Sequence, residues 1–127
     1  TAYLFISHDL TAVKEISDRV AIMYLGEIVE IGPSPEIFDN QIHPYGQALM
    51  SSVLYPDPEM EFGKVKLSGE IPSPRNPPKG CFLHPRCPFV IDKCRTEHPA
   101  LEQITGLNGP TINTNRYAAC WRAQEFI

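Results

Sequence analysis

Proline sets the first limit on how this chain can fold. Of its thirteen prolines, three lie in residues 1–55, nine in residues 56–99 and one beyond. Each removes a backbone donor and fixes φ, so regular structure should crowd into the first stretch and thin out after it. The dense stretch opens on Pro56-Asp57-Pro58, which denies a preceding helix its continuation, and a boundary is expected at Tyr55–Pro58. A chain of 127 residues and 14.3 kDa suits one domain, or part of one with a small appendage.

Charge follows the same division. Residues 1–55 carry two basic side chains, Lys14 and Arg19, against seven acidic ones, and the remainder carries nine against eight. The overall charge of −4 argues against a phosphate-binding surface and so against a nucleic-acid binder. No apolar run approaches the roughly 20 residues of a membrane-spanning helix. The opening TAYLFIS lacks the basic-then-apolar pattern of a secretory leader. A reducing cytoplasm is therefore expected, where clustered cysteines point to metal rather than to disulfides.

Thr1–Ser7 is a short apolar run with Tyr3, Phe5 and Ile6, read as a strand buried on both faces. It begins at the first residue without a methionine, so the chain is expected to be cut from something larger. Leu10, Val13 and Ile16 recur at helical spacing behind Asp9, a fitting N-cap. His8 would then stand at the carboxyl end of a parallel strand, the edge where open α/β sheets bind ligands. On pattern alone the capped turn residue is the favoured reading of the two. Arg19–Tyr24 and Glu27–Ile31 flank Leu25-Gly26 as a hairpin, the second arm half exposed because Ile28 alternates with Glu27 and Val29 with Glu30. Ser34-Pro35-Glu36 should begin a short helix, with the serine hydroxyl as N-cap. A second helix should start at His43-Pro44, with Tyr45, Ala48, Leu49 and Val53 as its apolar stripe.

From Pro56 to Gly80 the pattern offers one weak strand, residues 64–67, and then GEIPSPRNPPKG, an extended proline-rich arm expected to wrap back onto the first half. It leads into the cysteines. All four of the chain follow, spaced Cys81-x5-Cys87-x6-Cys94-x25-Cys120. This is neither a zinc-ribbon CxxC pair nor a ferredoxin run, so metal, free structural thiols and disulfides all stay open. Four thiolates would suit tetrahedral Zn²⁺ or a [4Fe–4S] cluster. A tail with little core needs such a tie, and ligation contributes on the order of 10 kcal/mol to folding. Arg75, Lys79, Arg86, Lys93 and Arg95 surround the cluster, where thiolate charge needs compensating. His84 reads as a packed side chain rather than a ligand, and His98 carries no functional claim. Tyr117–Trp121 reads as a final strand or turn that brings Cys120 back to the other three cysteines, with Phe89 and Trp121 expected to shield the sulfurs from water.

The stretch FISHDLTAVKEISDRVAIMYLGEIVEIGPSPEIF resembles the end of an ABC-type ATPase domain, from its switch histidine onward. HPYGQALMSSV, followed by GEIPSPRNPPKGCFLHPRCP, is similar to the C-terminal extension of ATP-binding subunits of oligopeptide and dipeptide ABC importers. Gly46 stands where that family commonly has threonine, and Trp121 where histidine is common; neither change removes a ligand candidate. The resemblance implies an α/β fold: residues 1–55 as the C-terminal end of a P-loop-type ABC ATPase domain, and 56–127 as a small, irregular, Cys-rich extension holding metal or cluster. It implies that His8 acts beside the γ-phosphate in the complete ATPase, with ATP and Mg²⁺. It further implies a [4Fe–4S] cluster on Cys81, Cys87, Cys94 and Cys120, with Zn²⁺ as the alternative. Implied partners are a second ATPase subunit and two membrane-spanning permease subunits, met at the cytoplasmic face of the membrane.

No GxxxxGK[ST] phosphate loop, Asp-Glu strand end or Gly-rich signature occurs in these residues, so the chain alone should be inactive on ATP. It should drive peptide uptake only as part of the larger subunit, and alone it is expected to dimerise over surfaces the missing part would cover. The competing reading is a stand-alone, metal-stabilised interaction module without catalysis.

Overall fold

Residues 19–33 form the hairpin around which the rest is laid. In the computed structural model, which describes residues 1–54, 67–104 and 115–126, β1 (Arg19–Tyr24) pairs antiparallel with β2 (Glu27–Pro33). Leu25 (φ 48°) and Gly26 (φ 80°) turn the chain between them, the two positive φ values that a type I′ hairpin turn requires. Along β1 the alternation is regular, with Val20, Ile22 and Tyr24 inward.

β2 departs from it. Ile22 faces Glu30 but Met23 faces Ile28, so Val29 is an extra residue with no partner in β1. That bulge re-aims every side chain before it. Val29 and Glu30 both turn inward, Glu30 to 0% exposure, while Ile28 is left 38% exposed. The alternation read from the sequence, with the glutamates outward along this arm, holds for Glu27 and is reversed for Ile28 and Glu30.

Two helices follow. Pro33, not Ser34, takes the N-cap position of α2 (Ser34–Asp39), and Ser34 is buried with its backbone N–H donating to the Asp18 carbonyl at 2.9 Å. The expected serine cap is thus not made, because Ser34 already lies inside the helix. α3 (Pro44–Leu54) starts where Pro44 predicted, and Ala48 and Met50 are buried on it while Tyr45 and Leu49 are half-buried. Val20, Ile22, Tyr24, Val29, Ile37, Phe38, Met50 and Leu83 make the main core.

The start of the chain is not a strand. Residues 1–9 are irregular, and Tyr3, Leu4 and Ile6 are about nine-tenths exposed at 91%, 90% and 87%. A strand buried on both faces needs neighbours at its edges and layers over it, and this sheet supplies neither. α1 (Leu10–Ile16) does form, with the Asp9 carboxylate accepting from Ala12 N–H at 3.3 Å, but none of its residues is buried.

The second half closes onto the hairpin. A turn with Asn76 N–H on the Ser73 carbonyl, at 3.1 Å, breaks the expected extended run of prolines. α4 (Asp92–Thr96), β3 (Glu102–Gln103) and β4 (Tyr117–Ala118) follow. The sheet order is β1-β2-β4-β3 with every pairing antiparallel, so β4 sits directly against β2. Fold class therefore stands as mixed helix and sheet, without the parallel strands expected at its start. The boundary at Tyr55–Pro58 and most of the weak strand at 64–67 lie outside the described residues.

Candidate functional site

The cysteine stretch is built from tight turns. Cys81 N–H donates to the Cys94 carbonyl at 2.8 Å, His84 N–H to the Cys81 carbonyl at 3.1 Å, and Arg86 N–H to the Leu83 carbonyl at 2.8 Å. Gly80 makes the first contact feasible, with φ 73° and no Cβ to strike the Cys94 carbonyl oxygen. Leu83, 1% exposed, anchors the stretch in the hairpin's core, and the Arg86 guanidinium donates to the Tyr24 hydroxyl at 3.3 Å.

All four sulfurs meet at one cleft. Cys81, Cys87, Cys94 and Cys120 line it together with His43, Leu83, His84, Phe89, Trp121 and Arg122. Its empty space is about 340 Å³, counted out to the mouth. Phe89 and Trp121 stand in the wall, as expected of shields. Trp121 is held there by its indole N–H on the Glu97 carbonyl at 2.9 Å and by the Lys93 ammonium 3.8 Å from its ring centre.

Burial pushes the Cys81 thiol up to about 11 and the Cys120 thiol to about 12, and raises Cys87. The other sulfurs add to this: Cys120 feels the charge of Cys81, Cys87 and Cys94 alike. Opposing both are backbone amides. Leu83 N–H points at Cys81, Phe89 N–H at Cys87 (3.4 Å) and Arg122 N–H at Cys120, each from two residues ahead. Such N–H···S contacts stabilise sulfur that carries negative charge.

The four cysteines are free thiols, and among the described residues no group of three or more His, Cys, Asp or Glu is arranged as the shell of a metal ion. The expected metal-bound state is therefore not shown. Neutral thiols have no attraction to draw them to ligand distance without a cation between them. As a donor set they fit a four-sulfur centre: one cleft, apolar walls, and amides aimed at three of the four.

Three residues that the sequence reading passed over hold the cleft in place. His43 is 1% exposed; its Nδ1 accepts from Tyr45 N–H at 3.1 Å, capping α3, and its other nitrogen donates to the Ala119 carbonyl. Burial lowers its pKa to about 4. Glu30 takes Ile42 N–H at 3.0 Å, His43 N–H at 2.9 Å and the Arg116 guanidinium at 2.7 Å. Arg116, just before β4, also reaches the Asn40 carbonyl. A glutamate inside the run IVEIG was the available signal. His98, given no role, bridges the Gly80 carbonyl (2.8 Å) and the Glu27 carboxylate (2.7 Å) and stacks on Phe82.

His8 is elsewhere. It lies exposed in the irregular segment before α1 and does not line the cleft. The structure brings together the four cysteines and leaves His8 apart from them.

Comparison with known proteins narrows the setting. Residues 29–94 match the family described as oligopeptide/dipeptide transporter, C-terminal region. The chain is 40% identical, over its whole length, to the di/tripeptide transport ATP-binding protein DppF of Pseudomonas aeruginosa, covering 36% of that protein. It is 52% identical over 101 residues to the oligopeptide transport ATP-binding protein OppF of Escherichia coli, covering 78% of this chain and 30% of that one. A probable peptide ABC transporter ATP-binding protein of Sinorhizobium fredii is 52% identical over 79% of this chain and 28% of its own length. The chain thus spans about a third of the length of these relatives. Among the described residues no helix is long and apolar enough to cross a membrane.

Proposed function

The chain belongs to the family of the oligopeptide/dipeptide transporter C-terminal region, and on that footing we propose that it serves as the C-terminal part of the ATP-binding subunit of an ABC importer of peptides. The supporting observation is that the family match, residues 29–94, runs from within β2 through the third cysteine, so most of β2, both following helices and the cysteine stretch fall inside one family unit. Residues 1–55 are the end of the ATPase domain on this reading, and 56–127 its extension. ATP and Mg²⁺ belong to the complete protein. His8 supplies an imidazole beside the γ-phosphate there, positioning charge and water in a transition state that depends mainly on placement. The subunit works with a second ATPase subunit and two permease subunits, bound peripherally at the cytoplasmic face of the membrane.

Cys81, Cys87, Cys94 and Cys120 hold a [4Fe–4S] cluster, with Zn²⁺ as the alternative occupant. Their convergence on a cleft with apolar walls supports this, as do the amides directed at Cys81, Cys87 and Cys120. When bound, the group ties the stretch 81–94 to the segment that follows β4. The chain's own residues exclude water with Phe89 and Trp121 and offset charge with Arg122 and the amides.

Two measurements test the proposal. The purified chain should turn over no ATP; turnover abolished by His8→Ala would refute the assignment of activity to the complete subunit alone. Anaerobically purified chain should carry iron and sulfide at about four each, or zinc at about one, on four thiolates. Free thiols with the tail still folded would remove the metal centre from the proposal.

A further inference from the structure

The four sulfurs reach the cleft by two unlike routes. Cys81, Cys87 and Cys94 ride on one stretch that closes on itself through the Cys81–Cys94 backbone contact, and Cys81 and Cys87 pack against the main core. Cys120 packs against a separate cluster of Ile42, Ile104, Ala118 and Ala123. The centre sits at the seam between the two clusters. Cys120 lies far along the chain from the other three, so something other than their turns must set its position.

That something is β2 and the entrance to α3. Tyr117 and Ala118 pair with Ile31 and Glu30, Ala119 N–H donates to the Val29 carbonyl at 2.8 Å, and the Ala119 carbonyl accepts from His43. Arg116 is bound to Glu30 at 2.7 Å. Glu30 appears on both sides of this arrangement. Its Oε1 receives Arg116 and, with Oε2, the Ile42 and His43 N–H groups. At 0% exposure it has no water to substitute for any of these donors.

We infer that Glu30 is a positioning residue for the four-sulfur centre: one buried carboxylate fixes Cys120, through Arg116 on the arm that carries it and through the Ile42 and His43 N–H groups, which set the His43 ring that holds the Ala119 carbonyl. The inference rests on the proposed reading of the cleft as a four-sulfur site. A carboxylate is needed because every group facing it donates. An amide would present a donor of its own to them and leave the Arg116 charge buried without its counterion.

The test reads each cysteine separately. The metal-free, reduced chain is treated with iodoacetamide, and the rate at each thiol is followed by peptide mass spectrometry. Glu30→Gln should raise the Cys120 rate about tenfold through local opening and change Cys81, Cys87 and Cys94 by less than about twofold. Because an unpaired Arg116 could unfold the chain, the charge-balanced Glu30→Gln/Arg116→Gln variant is run beside it. That variant should keep the cooperative melt and retain the faster Cys120, and Glu30→Asp should restore part of the protection. An unchanged Cys120 in the charge-balanced variant, or an equal rise at all four thiols, would overturn the role of Glu30. Anaerobic loading with ferrous iron and sulfide separates the two readings. Wild-type chain that takes up neither iron nor zinc, each offered separately, with Cys120 still selectively released by Glu30→Gln, would refute the four-sulfur reading while sustaining the positioning of Cys120. Wild-type chain that loads while the variants load equally, with the same absorption spectrum, would refute the positioning.

Discussion

Gly80 and His43 carry the sharpest consequences at the scale of single residues. At Gly80 a Cβ would lie 2.3 Å from the Cys94 carbonyl oxygen, on a backbone with φ 73°. Both the clash and the conformation oppose any L side chain, so Gly80→Ala should cost about 3 kcal/mol in a urea melt and reduce metal uptake with it. His43 is neutral in the folded chain, with a pKa of about 4 against 6.5 when unfolded. Between those values the unfolded state binds the proton and the folded state does not. Stability therefore falls as pH drops from about 6.5 towards 4, by about 3 kcal/mol at the lower end from this residue. His43→Gln should flatten that part of a stability-against-pH curve; an unchanged slope would show that His43 is protonated in the fold. The cysteines were evident from the sequence because thiols so closely spaced are rare. Glu30 was hidden because an acidic residue in an alternating strand normally faces water, and only the bulge at Val29 turns it inward.

Among the elements, those with strong local punctuation were legible. Leu25-Gly26 marked the hairpin, Pro35 the short helix and Pro44 the longer one, each by a backbone restriction that operates before any tertiary contact. The two-residue strand β3 had no such signal, since a strand that short exists only where a partner offers its edge, whereas β4 falls inside the stretch Tyr117–Trp121 read as a final strand or turn. The run at Thr1–Ser7 illustrates the converse: strand composition without partners gives no strand. α3 carries a glycine in its first turn, where a Cβ would meet Ile22 Cδ1 at 3.0 Å and Glu30 Oε2 at 3.2 Å. Ile22 is packed in the core, and Glu30 Oε2 is held by the Ile42 and His43 N–H groups, so neither neighbour yields freely. Gly46→Ala should therefore lose more by crowding than it gains in helix propensity and destabilise the chain by about 1 kcal/mol in thermal melts. A gain in stability would show that the Glu30 carboxylate is free to shift.

At the largest scale the described residues share one four-stranded sheet, onto which the second half closes, with the cysteine-lined cleft beside it. In the metal-free chain the buried thiols titrate at about 11 for Cys81 and about 12 for Cys120, against 9.0 unfolded. The unfolded state loses these protons first. The stability they contribute is complete below about pH 9 and is lost as pH rises through the folded values. Loading iron and sulfide, or zinc, should abolish this alkaline decline, release protons and raise the melting temperature. A loaded chain with the same alkaline midpoint as the metal-free one would place the metal elsewhere. On the proposed reading ATP hydrolysis should be absent from both forms, since it requires a phosphate loop, an Asp-Glu strand end and a Gly-rich signature, none of which occurs in these residues.

The sequence alone marked the four cysteines, the hairpin, the short helix around Pro35, the start of the longer one at Pro44 and the family to which the chain is similar. Each of these depends on local chemistry: turn conformations, proline geometry, or thiols a few residues apart. The tertiary structure decided that β4 would pair with β2, that Glu30 would face Arg116, and by which route Cys120 would reach the other three. Those outcomes depend on a bulge and on an ion pair whose partners are 86 residues apart. Local pattern cannot encode such contacts, because neither partner is favoured at its position until the other is present.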